Sequence, residues 1–318
     1  MSALPGFVPS RTQEWLEFFA GNGYPDAQPL AAGVEGTIYR LGGETVAKVW
    51  VRRQVPELVR LQSFYADVAR AGLPFATPEI LRIEQVGDAA VTFDRELHGE
   101  PLQKRLSVDD PDADPDALDC VVEVLRALAT VAGTDNMRQA PVLHERRPLW
   151  GDANDFSSAM ISLIGRRVNR FGDLLRAQVS AFDRKYERVA EKLAALDHSG
   201  QSVIHGDLFC ENILVDERAR PVAVLDFGFL STAGDPRLDA SISAAIFNMY
   251  GPHARRIADT LTNRFCAEFG YPAEVLLLYR AAYALATSNF LTSDGSDGHF
   301  EWCVGWLNDA EVVAALDL

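Results

Sequence analysis

The spacing of hydrophobic residues changes near residue 100 and divides the chain into two parts. Before that point, apolar and polar residues alternate in short runs separated by glycine-containing turns, which is the pattern of antiparallel strands. One helical stretch, with a proline near its start and a glycine at its end, interrupts these runs at residues 56–72. Beyond Pro101 the apolar residues recur with helical spacing. We therefore predict an α+β protein with a strand-rich domain at residues 1–98 and a larger, mainly helical domain at residues 99–318.

The individual elements can be placed along each part. The first part is predicted to hold a strand pair at residues 31–41 and further strands at residues 44–51, 79–86 and 89–97. The helices of the second part are predicted at residues 116–132, 156–170, 173–196, 238–250, 254–269, 273–290 and 300–316. The first part therefore has enough strands for a small antiparallel sheet, and the second has enough helices for a core of its own.

Composition narrows the class of protein. The chain has 318 residues, of which 48% are hydrophobic and 24% charged, as in an ordinary soluble globular protein. A net charge of -15 argues against a nucleic-acid partner, because neutralising phosphates needs a basic face. The four cysteines form no Cys-x-x-Cys pair, so we expect neither a disulfide framework nor a structural zinc site. With no basic segment ahead of an apolar run and no stretch of membrane-spanning length, we expect a cytoplasmic protein without a membrane partner.

The strongest chemical signal lies in the stretch HGDLFCEN, which runs from His205 to Asn212. A short predicted hairpin follows, and it delivers a second carboxylate at Asp226. Mg²⁺ prefers oxygen ligands, so Asn212 and Asp226 suit a metal bound to phosphate groups. Asp207 would then accept or orient the proton of an attacking hydroxyl. An aspartate between a strand and a turn is more often a turn residue, but the whole set in this order favours phosphoryl transfer.

The motif His-x-Asp-x-x-x-x-Asn followed by Asp-Phe-Gly resembles the catalytic and metal-binding loops of the protein kinase superfamily. The His-Gly-Asp form is similar to the aminoglycoside phosphotransferase and choline kinase branch. This resemblance implies a bilobal kinase-like fold that binds ATP or GTP with Mg²⁺ between a small sheet lobe and a larger helical lobe. It also implies structural roles for His205, at the start of the loop, and for Asp239, after a Gly-Asp-Pro segment that opens a helix.

A second set of candidates lies in the first part of the chain. Strand alternation puts Val46, Lys48 and Trp50 on one face, and an inward-facing lysine needs an anionic partner such as a nucleotide phosphate. Upstream, Gly33 and Gly36 frame a short turn that lacks the full phosphate-binding glycine pattern.

The resemblance adds three acidic candidates to this set. It implies a glutamate on the helix at residues 56–72 that pairs with Lys48, and Glu57 is the candidate, although Gln62 stands nearer to the expected position. It also implies that residues 93–99 link the lobes and read the adenine edge through the backbone, which adds Asp94 and Glu96 to the predicted nucleotide site.

An acidic loop at residues 292–299, with Glu301 near it, offers candidate substrate contacts. In aminoglycoside phosphotransferases such loops bind amine-bearing substrates, so the resemblance points to Asp294, Asp297 and Glu301; a solvated turn is the simpler reading. The expected partner is a small-molecule substrate, whether cationic or not. Three functions stay open. They are a kinase that modifies antibiotics, a metabolic kinase for an amino sugar or amino alcohol, and a nucleotide-binding module without catalysis. A protein kinase is disfavoured, because no Ala-Pro-Glu segment follows Asp-Phe-Gly.

Overall fold

The computed structural model describes residues 11–33, 35–107, 110–145, 147–197 and 200–318. Val34, inside the predicted glycine turn, lies outside these residues. The chain forms two compact units. The first comprises Met1–Gly72 and Ala76–His98, and the second comprises Leu73–Phe75 and Gly99–Leu318.

The first unit is built on a five-stranded antiparallel sheet with the strand order β1-β2-β3-β5-β4. All the strands pair antiparallel, and the β4–β5 pair is the hairpin that the sequence predicts. The elements in chain order are α1 (Thr12–Gly21), β1 (Gln28–Ala32), β2 (Gly36–Gly42), β3 (Thr45–Trp50), α2 (Val55–Ala69), β4 (Ile80–Val86) and β5 (Ala89–Arg95).

The two faces of this sheet carry different side chains. Helix α1 covers one face, where its Trp15 and Phe19 pack against Tyr39, Val49 and other apolar residues of the central strands. Because successive strand residues point to opposite faces, the register that places Lys48 opposite Thr92 turns both away from α1. The sheet therefore has an apolar face under α1 and a polar face that carries Lys48.

The second unit is mainly helical and includes two small antiparallel sheets, one of β6, β8 and β9 and one of β7 and β10. Its strands are β6 (Glu100–Pro101), β7 (Ser202–Ile204), β8 (Ile213–Val215), β9 (Pro221–Val224) and β10 (Thr232–Gly234). Its helices are α3 (Pro115–Leu128), α4 (Asp135–Arg138), α5 (Phe156–Gln178), α6 (Phe182–Ala194), α7 (Pro236–Ile246), α8 (Ala254–Phe269), α9 (Ala273–Thr287), α10 (Gly298–Leu307) and α11 (Ala310–Ala315). Helices α7 and α9 are buried along almost their whole length, so they form the centre of the unit.

Two helix boundaries differ from the prediction. The predicted break at residues 170–173 is wrong, because α5 continues through Gly172, and the chain turns instead around Ala181, whose φ is 49°. A glycine inside a helix is tolerated where it permits close packing, and Gly172 lies against Val168 and Phe182. The single helix predicted at residues 300–316 is also wrong, because Asp309 caps a new helix, α11.

Candidate active site

The loop that follows β7 is held from below by one buried carboxylate. Asp239, in the first turn of α7, accepts hydrogen bonds from the backbone N–H groups of His205 (2.7 Å) and Gly206 (2.8 Å). Gly206 has a φ of 77°, and a Cβ there would lie 2.6 Å from the carbonyl group of Leu230. Only glycine fits this position without displacing the backbone, so the loop begins in one defined conformation.

The imidazole of His205 is fully buried and both of its nitrogens contact the backbone. Its Nε2 lies 2.7 Å from the carbonyl oxygen of Leu225, and its Nδ1 lies 3.2 Å from the backbone N–H of Asp207. These contacts define the tautomer, with the proton on Nε2 and an acceptor at Nδ1. Burial lowers the pKa of His205 to about 4, so the ring is neutral at physiological pH. It links the loop to Leu225, directly after β9, and has no nitrogen left for proton transfer.

The candidate base and the candidate metal ligand belong to one hydrogen-bonded turn. The carbonyl oxygen of Asp207 accepts from the backbone N–H of Phe209 (2.8 Å) and from Nδ2 of Asn212 (2.9 Å). The carbonyl oxygen of Asn212 in turn accepts from the backbone N–H of Leu225 at 2.8 Å. The amide nitrogen of Asn212 is thus committed, which leaves its Oδ1 as the oxygen available to a cation.

The second carboxylate follows directly from the hairpin of β8 and β9. Asp226 is exposed and has a φ of 58°, in the left-handed region that aspartate tolerates better than most residues. Behind it, the Ser231 hydroxyl accepts from the backbone N–H of Gly228 (2.7 Å) and donates to the carbonyl oxygen of His205. The Asp226 segment and the His205 loop are therefore connected through Ser231 as well as through Leu225.

Asn212 and Asp226 are the two metal ligands that the sequence predicts. Asn212 and Asp226 offer an amide and a carboxylate oxygen on adjacent backbone segments, which suits a hard cation such as Mg²⁺. Over the described ranges there is no group of three or more His, Cys, Asp or Glu side chains able to hold a metal. Mg²⁺ needs only one or two protein carboxylates, because it completes its shell with water and phosphate oxygens.

In the first unit, Lys48 is part of a partly buried charge cluster. Its Nζ lies 3.1 Å from Oε2 of Glu35 and 3.9 Å from the centre of the Trp50 ring. Arg53 binds the other oxygen of Glu35 at 2.9 Å. Burial alone would raise the pKa of Glu35, but the charges of Lys48 and Arg53 outweigh it and hold this pKa well below its usual range. Glu35 therefore stays ionised and fixes Lys48 on the polar face.

The carboxylate that pairs with Lys48 in this unit is Glu35, whereas the sequence analysis named Glu57. Glu57 accepts from the backbone N–H of Gln54 at 2.8 Å and caps the start of α2, so the structure gives it a different role from the predicted pairing with Lys48. A glutamate at the third helical position is well placed for such a capping box. The side chain of Gln62 bonds the carbonyl oxygen of Ile80 at 2.8 Å and ties α2 to β4.

The other nucleotide-site candidates lie at both ends of the sheet. Gly36 opens β2 where a Cβ would lie 2.1 Å from the carbonyl oxygen of Val49, whereas Gly33 has open space around it. Glu96 forms an ion pair with Arg40 at 2.6 Å. Asp94 is on β5, where Oδ2 accepts from the Thr92 hydroxyl at 2.9 Å.

The three acidic candidates near the C-terminal end are not equivalent. Asp297 caps α10 through the backbone N–H of Phe300 (2.9 Å) and also accepts from Thr292. Asp294 accepts from the backbone N–H and hydroxyl of Ser296 (3.1 and 2.7 Å). Glu301 is exposed on α10. Two of the three thus shape the loop itself, as the simpler reading of this segment expects.

An aromatic group lies close to the candidate base. The hydroxyl of Tyr283, on α9, is buried, and its pKa is raised well above its usual value by burial and by the charge of Asp207. Phe229 packs between Tyr283 (6.4 Å between ring centroids) and Phe290 (4.4 Å), and Trp302 meets Tyr283 edge to face at 6.1 Å. Tyr283 is therefore part of a cluster of aromatic side chains.

Comparison with known proteins gives the family. The model of the phosphotransferase enzyme family matches residues 26–276, and the chain belongs to this family. A search of the curated proteins finds no significant match. The resemblance to aminoglycoside phosphotransferases and the expectation of a phosphotransferase with a kinase-like α+β fold are confirmed.

Several solved structures share the fold. The aminoglycoside phosphotransferase APH(3'')-Id from Streptomyces rimosus, solved with ADP and streptomycin, has a TM-score of 0.56 at 17% identity, covering 87% of this chain and 99% of that one. The GDP complex of aminoglycoside 2'-phosphotransferase-IIIa has a TM-score of 0.56 at 14% identity, covering 96% and 97%. The macrolide 2'-phosphotransferase from Brachybacterium faecium has a TM-score of 0.52 at 17% identity, covering 93% and 98%. Across the described segments, no helix is long and apolar enough to cross a membrane.

The sequence analysis missed Glu35 in the first unit and Ser231 and Tyr283 in the second. Glu35 lies between Gly33 and Gly36, in the turn that the sequence analysis had singled out. An acidic residue there was a usable signal for a partner of Lys48. Ser231 and Tyr283 carry no local signal, because their contacts with His205 and Asp207 join positions 26 and 76 residues apart in the chain. Only the folded structure brings these pairs together.

Lys48→Met is expected to weaken the binding of ADP by about 10- to 100-fold, the loss that follows removal of a charged hydrogen-bond donor from phosphate. Adenosine, which has no phosphate, should bind the variant and the wild type alike. Calorimetric titration with both ligands measures this difference. Arg52→Met is the matched control, since Arg52 is a nearby exposed cation. Equal ADP affinities for wild type and Lys48→Met would remove Lys48 from the phosphate site.

Proposed function

We propose that this protein is a nucleotide-dependent small-molecule kinase that transfers the terminal phosphoryl group of ATP or GTP to a hydroxyl of its substrate. The observation that carries the proposal is the connected framework in which Asp239, His205 and Ser231 hold Asp207, Asn212 and Asp226 on fixed backbone. Phosphoryl transfer depends mainly on positioning and charge stabilisation, and such a rigid loop supplies the positioning.

Each residue has a chemical task in this proposal. The Asp207 carboxylate orients the substrate hydroxyl and takes its proton as the new oxygen–phosphorus bond forms. The bond between the terminal phosphorus and its bridging oxygen breaks, and the nucleoside diphosphate leaves with that oxygen. Asn212 and Asp226 would hold Mg²⁺, which neutralises charge on the phosphates when bound. Lys48 would bind the phosphate oxygens that lie away from the substrate.

The acceptor that we propose first is an aminoglycoside-like or other small hydroxylated compound, including amino sugars and amino alcohols. The exposed carboxylate of Glu301 and the Asp294 carboxylate are its candidate amine contacts. A second candidate is a more apolar acceptor such as a macrolide, and the half-buried aromatic side chains of Phe229 and Phe290 favour it. We place the enzyme in the cytoplasm, in keeping with its four free thiols.

The test is Mg²⁺-dependent transfer of labelled phosphate from ATP and GTP across aminoglycosides, macrolides, amino sugars and amino alcohols. We expect turnover of at least one compound, abolished when the metal is removed by a chelator. Thermal unfolding with each nucleotide and Mg²⁺ provides a readout that needs no acceptor. A protein that turns over no compound but is stabilised by nucleotide would favour the non-catalytic binding module. If nucleotide neither turns over nor raises the Tm, the proposal fails.

A further inference from the structure

Asp94 has a carboxylate oxygen that the fold does not use. Its Oδ1 is shielded from solvent and has no hydrogen-bond partner within the part of the chain that the structure describes. Leaving a buried polar atom unpaired is costly, so such an atom calls for a hydrogen-bond partner outside the fold, such as a water molecule or a ligand. The surroundings of Asp94 therefore indicate a missing hydrogen-bond donor.

The neighbouring side chains fix how the Asp94 carboxyl group is oriented. The indole nitrogen of Trp50, which can only donate, gives its hydrogen to Oγ1 of Thr92 at 3.1 Å. The Thr92 hydroxyl must then direct its own hydrogen to Oδ2 of Asp94, 2.9 Å away. Oδ2 is consequently an acceptor, and Oδ1 is left for an outside partner.

The sheet register shows where this oxygen lies relative to Lys48. Lys48 pairs with Thr92 and Val46 pairs with Asp94, so Lys48 and Asp94 are on the same face. Asp94 is one strand repeat, about 7 Å, nearer to the end of β5 than the lysine. If Lys48 binds phosphates, Asp94 lies beyond them, in the direction of the segment that follows β5.

We propose that the Asp94 carboxylate recognises the 6-position of the purine by accepting a hydrogen bond from the 6-amino group of adenine, so that the enzyme prefers adenine nucleotides to 6-oxopurine nucleotides. This inference rests on the proposed function, since it assumes that Lys48 binds the nucleotide phosphates. Guanine and hypoxanthine present a carbonyl oxygen at the same position. Two facing acceptors repel each other and leave both unpaired, which is a strong basis for discrimination.

The protonation state of Asp94 provides an independent readout. Burial raises the pKa of Asp94 to about 7, although the Thr92 hydrogen bond and the charge of Lys48 lower it in part. The charged groups on the same face are Lys48, which is paired with Glu35, and Arg40, which is paired with Glu96. Ile80 on the other neighbouring strand is apolar. A protonated Asp94 donates a hydrogen bond to the 6-oxo group, so it binds 6-oxopurine nucleotides as well. The preference for adenine should therefore grow as the pH rises from 6 to 8.

The experiment compares the affinities of ADP and IDP by calorimetry, because IDP differs from ADP at the 6-position and the adjacent N1. Wild type is expected to bind ADP at least about tenfold more tightly than IDP at pH 8. In Asp94→Asn the side-chain amide can donate to the 6-oxo group, so the ratio should fall to about one or reverse. Glu84→Gln, the same change at a carboxylate on β4 that pairs with Arg82, is the matched control and should leave the ratio unchanged.

A measurement on wild type alone covers the case in which Asp94→Asn does not fold. Purine riboside diphosphate lacks the 6-substituent and should bind about tenfold more weakly than ADP at pH 8. Equal affinities of wild type for ADP and IDP, or an ADP-to-IDP ratio that Asp94→Asn leaves unchanged, would overturn the inference alone. Absence of binding by every nucleotide would overturn the proposed function as well, so the two failures are distinguishable.

Discussion

Replacing Asp207 with Asn is expected to lower the kcat for phosphoryl transfer by about 10²–10⁴-fold, the usual contribution of a positioned general base. Asparagine has nearly the same shape, and it keeps the backbone contacts of residue 207 with His205 and Asn212. The loop should therefore keep its conformation while losing the group that takes the proton. Steady-state kinetics with the best acceptor measures the loss, and nucleotide affinity should stay within about threefold of wild type.

Glu211→Gln is the matched control for this experiment. Glu211 is an exposed acid four residues further along the same loop, and the same loss of charge there should leave kcat nearly unchanged. A variant Asp207→Asn that retains more than about a tenth of the wild-type kcat would exclude Asp207 as the base. If both variants lose activity equally, the general negative charge of the loop, and not one positioned carboxylate, would explain the result.

Asp239→Ala is expected to give the largest loss of stability, about 2–6 kcal/mol in the free energy of unfolding. The change leaves the buried N–H groups of His205 and Gly206 without an acceptor, and each unsatisfied group costs about 1–3 kcal/mol. Denaturant unfolding measures the effect. Asp259→Ala, at a half-exposed acid that pairs with Arg255 on α8, should cost less than about 1 kcal/mol. Equal losses in the two variants would show that Asp239 does not support the loop.

The pH dependence of this difference gives a check on its cause. Burial raises the pKa of Asp239 to about 6, although its two backbone hydrogen bonds lower it in part. The unfolded chain has an aspartate pKa near about 4, so the folded state holds the proton over this window. The stability that Asp239 contributes is complete below about pH 4 and declines as the pH rises to about 6. The advantage of wild type over Asp239→Ala should shrink over the same range.

Local patterns in the sequence predicted much of this site. The order of loop, hairpin and second carboxylate from Asp207 to Asp226 depends on short-range spacing. Strand alternation predicted that Val46, Lys48 and Trp50 share one face, and the sheet register agrees. The partner of Lys48 was harder to find, because Glu35 reaches it from the end of a different strand. The expected partner, Glu57, instead accepts a hydrogen bond from the backbone N–H of Gln54 at the start of α2. Glu57 therefore acts as a helix cap, and the family resemblance alone did not predict this role.

Side-chain packing explains features that local sequence patterns did not predict. Gly172 signals a helix break by itself, yet α5 passes through it because a side chain there would press on Val168. The acidic loop shows the reverse case, since Asp294 and Asp297 are explained by turn and cap contacts within eight residues. Contacts with a long sequence separation, such as that of Tyr283 with the Asp207 charge, carry no signal in a single sequence.

The left-handed backbone at Asp226 limits which substitutions there are informative. A φ of 58° is accessible to aspartate, asparagine and glycine, but a side chain branched at Cβ is strained in that region. Alanine, valine or isoleucine at this position would change the backbone preference together with the charge. A loss of activity in these three variants would combine the loss of the carboxylate with a change in backbone conformation. Asp226→Asn keeps the backbone preference and isolates the charge, and Asp226→Gly removes the side chain without strain, so a mutational scan of this site is interpretable only through that pair.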